Sequence, residues 1–162
     1  MTRGQLARRF GVVTDDWFWE GHVQAATVAH LVRSGWTIER AADTARREQG
    51  IDVIASKDGR RLAVEVKGFP SALYARGSKA GQPKPTSPAL QARHWFAGAL
   101  LASILTTSKL GRSELALALP DVPRYRVLIE QARWALQRLG IGVYLVREDG
   151  VVERLLDHDE RT

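Results

Sequence analysis

Asp52, Glu65 and Lys67 are the residues of this chain whose types and spacing best suit chemistry. They lie in a stretch, Gly50 to Lys67, that reads as a β-hairpin: two runs rich in Val, Ile and Leu flank Asp58-Gly59. A two-residue Asp-Gly loop favours a type I′ turn, because both central positions need positive φ. With Asp58 and Gly59 at the tip, Lys57 faces Arg60, and counting down both strands places Asp52 opposite Glu65. Alternation then sends Ile51, Val53, Ala55, Leu62, Val64 and Val66 to one side, the expected core, and Asp52, Glu65 and Lys67 to the other. Two carboxylates opposed in this way start about 5 Å apart at Cβ and repel. A hard divalent cation shared by their oxygens relieves that repulsion, and Lys67 adds a third polar group on the same face. The plainer alternative is a solvent-facing strand whose charges have no chemical role.

Asp52, followed after a short hairpin by Glu65-Val66-Lys67, resembles the core motif of the PD-(D/E)XK nuclease superfamily. Ile51 stands where the family's namesake proline would be. The resemblance implies an α/β fold with a restriction-endonuclease-like core, a central mixed β-sheet flanked by helices in the order α-β-β-β-α-β-α-β. It also implies a site in which Asp52 and Glu65 hold Mg²⁺, or Mn²⁺ in its place, helped by the Val66 carbonyl, while Lys67 orients a water or stabilises charge on the phosphate. In this superfamily an acidic residue on the first helix often completes the metal site, and Glu20 is the matching candidate, the alternative being a solvated helix carboxylate. Gln91, four residues before Trp95, resembles the Gln-x-x-x-Tyr motif of RecB-like and λ-exonuclease-like branches, with Trp in place of Tyr. Gln91 is then a candidate to bond a phosphate or a metal-bound water from a helix N-terminus; otherwise it caps, and Trp95 is core.

The elements that must position these residues are also legible. Thr14-Asp15-Asp16 reads as a helix start, with Gly35 ending that helix after about Ser34. Glu20, Gln24 and Thr27 form a polar stripe along it. A first strand follows Gly35, and residues 43–49 make a polar connection to the hairpin. Ser87-Pro88 begins a second helix running to about Ser108. Residues 113–119 form a strand ended by Pro120, Pro123 opens a helix stopped by Gly140, and residues 141–146 form a further buried strand. Between Lys67 and Ser87 the chain is rich in Gly and Pro without periodicity, which predicts a flexible basic loop at 68–87, functional or a disordered insertion. The expected organisation is a basic segment at 1–13, one domain at 14–156 and a frayed polar tail at 157–162.

At 162 residues the chain is the size of one domain, and with no cysteine it lacks disulfides, thiolate zinc sites and cysteine nucleophiles. It shows neither a run of membrane-spanning length nor a secretion signal, so a cytoplasmic protein without a membrane partner is expected. The net charge is +6, and between Glu65 and Glu114 there is no acid but seven basic residues, Lys67, Arg76, Lys79, Lys84, Arg93, Lys109 and Arg112. A basic segment that starts at the candidate strand predicts phosphate binding there, through Arg76, Lys79, Lys84 and Arg93, with Tyr74 available for stacking. DNA is the expected partner, RNA being compatible with the same charges, and a homodimer or a larger nuclease complex is the expected assembly. The expected activity is Mg²⁺-dependent endo- or exonucleolytic hydrolysis of DNA in repair, recombination or defence. A nucleic-acid-binding module without turnover, or a nuclease subunit of a larger complex, is the alternative.

Overall fold

The computed structural model describes residues 18–46, 48–74 and 77–158. Its architectural centre is the hairpin: φ is +49° at Asp58 and +74° at Gly59, as the short turn requires. This turn pairs β2 (Val53–Lys57) with β3 (Arg60–Val66), from Lys57 opposite Arg60 to Val53 opposite Val64. One step further out in the same register stand Asp52 and Glu65. β1 (Thr37–Ala41) joins β2 antiparallel, with a register shift between Ile38 and Arg40. β3 runs parallel to β4 (Glu114–Pro120), β4 parallel to β5 (Ile141–Val146), and β6 (Val152–Leu156) antiparallel to β5. The result is a six-stranded mixed sheet in the order β1-β2-β3-β4-β5-β6, an α/β architecture.

Antiparallel neighbours need only short links, whereas the two parallel steps need crossovers. Helices supply them: α2 (Pro88–Leu110) joins β3 to β4 and α3 (Pro123–Leu139) joins β4 to β5, while α1 (Glu20–Arg33) precedes the sheet. α2 starts where Ser87 Oγ accepts from Leu90 N at 3.3 Å, with Pro88 in the first turn. α3 stops at Gly140 in the left-handed region. The element order agrees with the sequence expectation over its first eight members, and β6 adds a ninth.

Helices cover both faces of the sheet, so both are core. Val53, Ala55, Leu62, Val64 and Val66 pack with Ala116, Ala118, Tyr144 and with Val23 and Leu31 of α1. On the opposite face Ala63, Leu117 and Leu145 pack against Phe96 and Ala99 of α2 and Tyr125, Ile129 and Leu136 of α3. This corrects the expected sorting of the hairpin in one respect: Ile51 joins the second core, because β2 begins only at Val53 and strict alternation does not reach back to it.

Other expectations also change. Among the described residues the first helix is Glu20–Arg33, preceded by a turn at Phe18-Trp19 and without a side-chain cap. The proposed start at Thr14, Asp15 and Asp16, like the basic segment at 1–13, lies outside the described residues. Of the polar stripe, Gln24 and Thr27 are buried, Gln24 Nε2 donating to Ala42 O at 2.7 Å and Thr27 Oγ1 to Val23 O at 2.7 Å. Residues of the 68–87 loop fold into a small arm, in which Leu73 bridges Pro83, Tyr74 N donates to Gln82 O and Lys84 N to Ala72 O. His158, expected in a frayed tail, is 2% exposed. Its Nε2 lies 2.9 Å from Tyr144 Oη, and its Nδ1 lies 2.8 Å from Glu114 Oε2 without hydrogen-bond alignment. Among the described residues no helix is long and apolar enough to cross a membrane.

Candidate active site

Because β2 and β3 are antiparallel, the start of one and the end of the other share one rim of the sheet. Because β3 and β4 are parallel, that rim is also their carboxyl end, where open α/β sheets commonly present functional groups. Asp52 stands just before β2 and is 8% exposed. Its Oδ2 accepts the Val66 N–H at 2.7 Å, extending the hairpin ladder by a side chain where the backbone pairing ends. Lys67 follows β3, its N–H donating to Ala118 O at 3.0 Å. Its ammonium turns back onto the rim, 2.8 Å from Glu65 Oε1, 2.9 Å from Val66 O and 3.9 Å from Asp52 Oδ2. A single ammonium therefore gathers the three oxygen-bearing residues of the hairpin that the sequence assigns to a cation.

Glu20 reaches the same place from the first turn of α1, and Gly68 makes its approach possible. A Cβ at Gly68 would lie 2.5 Å from Phe18 O and 2.8 Å from Glu20 N, distances that backbone atoms cannot accommodate without moving. The Gly68 backbone hydrogen-bonds the Glu20 carboxylate. Phe69 N donates to Phe18 O at 2.9 Å, and Gly68 O accepts from the buried Tyr125 hydroxyl at 2.7 Å. One residue thus ties β3, the start of α1 and α3 together. Neither Gly68 nor Tyr125 was among the candidates read from the sequence. The only signals were a glycine directly after Lys67 and a tyrosine, rather than a phenylalanine, at an inward position of a helix.

The electrostatics follow from this crowding. Burial pushes the Glu20 carboxyl above its ordinary pKa; Lys67 opposes the rise and the Asp52 charge adds to it. Asp52 is raised by burial, against the Val66 N–H and Lys67. Glu65 is raised by burial and then by the Asp52 charge. Burial alone would lower the Lys67 pKa, but Glu65, Glu20 and Asp52 together outweigh it and hold the ammonium above the usual lysine value. Three carboxylates face one ammonium, so the fully ionised cluster is short of positive charge.

That deficit, and a donor set made only of oxygens, fits a hard divalent cation such as Mg²⁺ or Mn²⁺ better than a soft metal. Among the described residues no three His, Cys, Asp or Glu side chains stand grouped closely enough to hold a metal ion in their present positions. One turn along α1 from Glu20, the buried Gln24 Oε1 has no hydrogen-bond partner.

Gln91, Lys79 and Lys84 make their contacts with other groups. Gln91 donates through Nε2 to Thr86 O at 2.7 Å and so braces the loop before its own helix. Trp95 is exposed rather than core. Lys79 is exposed, with its Nζ 5.9 Å from the Tyr74 ring centroid, and Lys84 Nζ is 3.5 Å from Ser71 Oγ, both on the arm that follows the site strand. Arg93 is exposed on α2, and Arg76 lies outside the described residues. Compared with models of known protein families and with curated proteins, the chain has no match.

Proposed function

We propose that this chain is a divalent-metal-dependent deoxyribonuclease with a restriction-endonuclease-like core of the PD-(D/E)XK type, hydrolysing DNA phosphodiester bonds. The observation that supports it most is the meeting of Glu20, Asp52 and Glu65 around Lys67 at one rim of the sheet, all four displaced above their ordinary pKa values. Asp52, Glu65, the Val66 carbonyl and Glu20 would hold Mg²⁺ or Mn²⁺, which supplies polarisation of the phosphate and acidification of a bound water. Lys67 remains an ammonium near neutral pH, so its role is that of a charged hydrogen-bond donor to a phosphate oxygen or to the attacking water, stabilising charge that builds in the transition state. Lys79, Lys84 and Arg93 would draw the DNA backbone towards the rim.

The absence of a ready metal cluster among the described residues favours a second reading, a nucleic-acid-binding module of the same fold without turnover. Supercoiled plasmid, linear duplex, single strand and four-way junction, incubated with Mg²⁺, Mn²⁺ or EDTA, separate the two. The nuclease predicts metal-dependent products that disappear in Asp52→Ala, with the preferred substrate naming the subclass. Tight, salt-sensitive binding without cleavage under any metal would replace the nuclease by the binding module.

A further inference from the structure

Glu20 is followed one turn along α1 by Gln24, and Val23, Gln24, Thr27 and Leu31 make up the buried side of that helix. Residues four apart lie one above the other, so Gln24 is next along from Glu20 on the side turned to the sheet. The two ends of its amide differ. Nε2 donates to Ala42 O at 2.7 Å, and the Ala42 N–H donates to Asp52 O at 2.8 Å. Two hydrogen bonds therefore lead from Gln24 to the backbone of Asp52, whose side chain in turn accepts from Val66 N.

The amide cannot be turned over. That would set its oxygen against the Ala42 carbonyl oxygen, and the Ala42 N–H is already given to Asp52. Oε1 is thus the unused end: the side chain is 8% exposed, and Oε1 itself is buried with no donor among the described residues. Buried carbonyl oxygens are ordinarily paired, because one without a donor or a cation has lost its hydration for nothing in return.

Charge indicates what this oxygen is for. Glu20, Asp52 and Glu65 already outnumber Lys67, so a further carboxylate would add repulsion, whereas an amide oxygen adds a ligand without charge. Asn and Gln carbonyls serve hard cations beside carboxylates and waters. We infer that Gln24 belongs to the cation site: its Nε2 ties the helix bearing Glu20 to the Asp52 segment, and its Oε1 supplies a neutral oxygen to the divalent cation, directly or through one of the cation's waters. The inference rests on the cation site of the proposed nuclease and adds to it a residue that the family resemblance does not assign.

Titration calorimetry of the full chain with Mn²⁺ tests it, on the wild type, Asp52→Ala, Gln24→Met and Gln24→Glu, with circular dichroism as the check of fold. Gln24→Met, of similar length but without the oxygen, should weaken Mn²⁺ binding about tenfold. Gln24→Glu should tighten it about tenfold, since a charged oxygen takes the place of a neutral one, while its melting temperature without Mn²⁺ falls from the added repulsion. A bracing role alone predicts weaker binding in both variants, because neither side chain donates to Ala42 O at neutral pH. Weaker binding in Gln24→Glu, or unchanged binding in Gln24→Met alongside loss in Asp52→Ala, would overturn the inference and leave the cation site standing. If Gln24→Met does not fold, Gln24→Glu decides alone, tighter binding supporting the inference and equal or weaker binding overturning it. No Mn²⁺ binding by the wild type, or binding indifferent to Asp52→Ala, would overturn the cation site and the inference together.

Discussion

Gly68 and Tyr125 bear on the site although neither supplies a charge. The Gly68 peptide stands between Glu20 and Tyr125, so substitutions there should act through Glu20 rather than through the hairpin carboxylates. Tyr125→Phe leaves the buried Gly68 carbonyl without its donor, a cost of about 1–3 kcal/mol. Its melting temperature should fall by several degrees, and titration calorimetry with Mn²⁺ should show weakened binding; unchanged Mn²⁺ affinity would confine Tyr125 to packing. Gly68→Ala forces Phe18 and Glu20 away from β3, and cleavage should drop at least tenfold while circular dichroism retains the sheet signal. Glu65→Ala and Lys67→Ala should abolish cleavage and leave the fold intact, since neither belongs to an apolar cluster. Full activity in Glu65→Ala would place the chemistry elsewhere.

At the level of elements, sequence legibility followed the range of the interaction that decides each one. Asp58-Gly59, Ser87-Pro88 and Gly140 act within a few residues of themselves, and the hairpin, the start of α2 and the end of α3 are where those residues put them. The register that sets Asp52 against Glu65 was readable for the same reason. Gly68 could not be read, because the atoms that forbid a side chain there belong to Phe18 and Glu20. Nor could the end of the chain, where His158 is held by Trp36, Glu114 and Tyr144, all distant in sequence. Gly142 lies beneath that contact, since a Cβ there would stand 2.7 Å from His158 N. Burial lowers the His158 pKa, and Arg154 and Arg60 add to the effect while Glu114 opposes it. The unfolded chain therefore binds a proton at a higher pH than the folded one, and folding loses stability as pH falls from the ordinary histidine value towards the depressed one. Tyr144, which contacts this ring, is pushed up to about 12 by burial, and His30, which packs on Tyr144, is lowered by burial and by Arg33 and Arg154. Urea midpoints measured between about pH 5 and 8 should slope upward with pH, and His158→Gln should flatten that slope. An unchanged slope in the variant would assign it to His30 or to another group.

For the whole molecule, the asymmetry of charge should govern partner binding. The arm with Lys79 and Lys84 follows directly on the strand that bears Glu65, so reversing both charges should weaken DNA binding most at low salt. The slope of log affinity against log salt should become shallower by about 2 if each lysine meets one phosphate; equal affinity and slope would remove the arm from the interface. The order of the sheet has a different consequence. Strands that neighbour one another in chain order can dock successively as the polypeptide leaves the ribosome, each on a strand already in place. Glu20, Asp52, Glu65 and Lys67 have all emerged by residue 67, but Tyr125 comes 57 residues after Gly68, and β4, the parallel neighbour of β3, and β5 beyond it come later than the site strands. A growing chain carries the charged groups of its site well before it can fix them in place, and any chemistry they perform waits until synthesis of the domain is nearly complete.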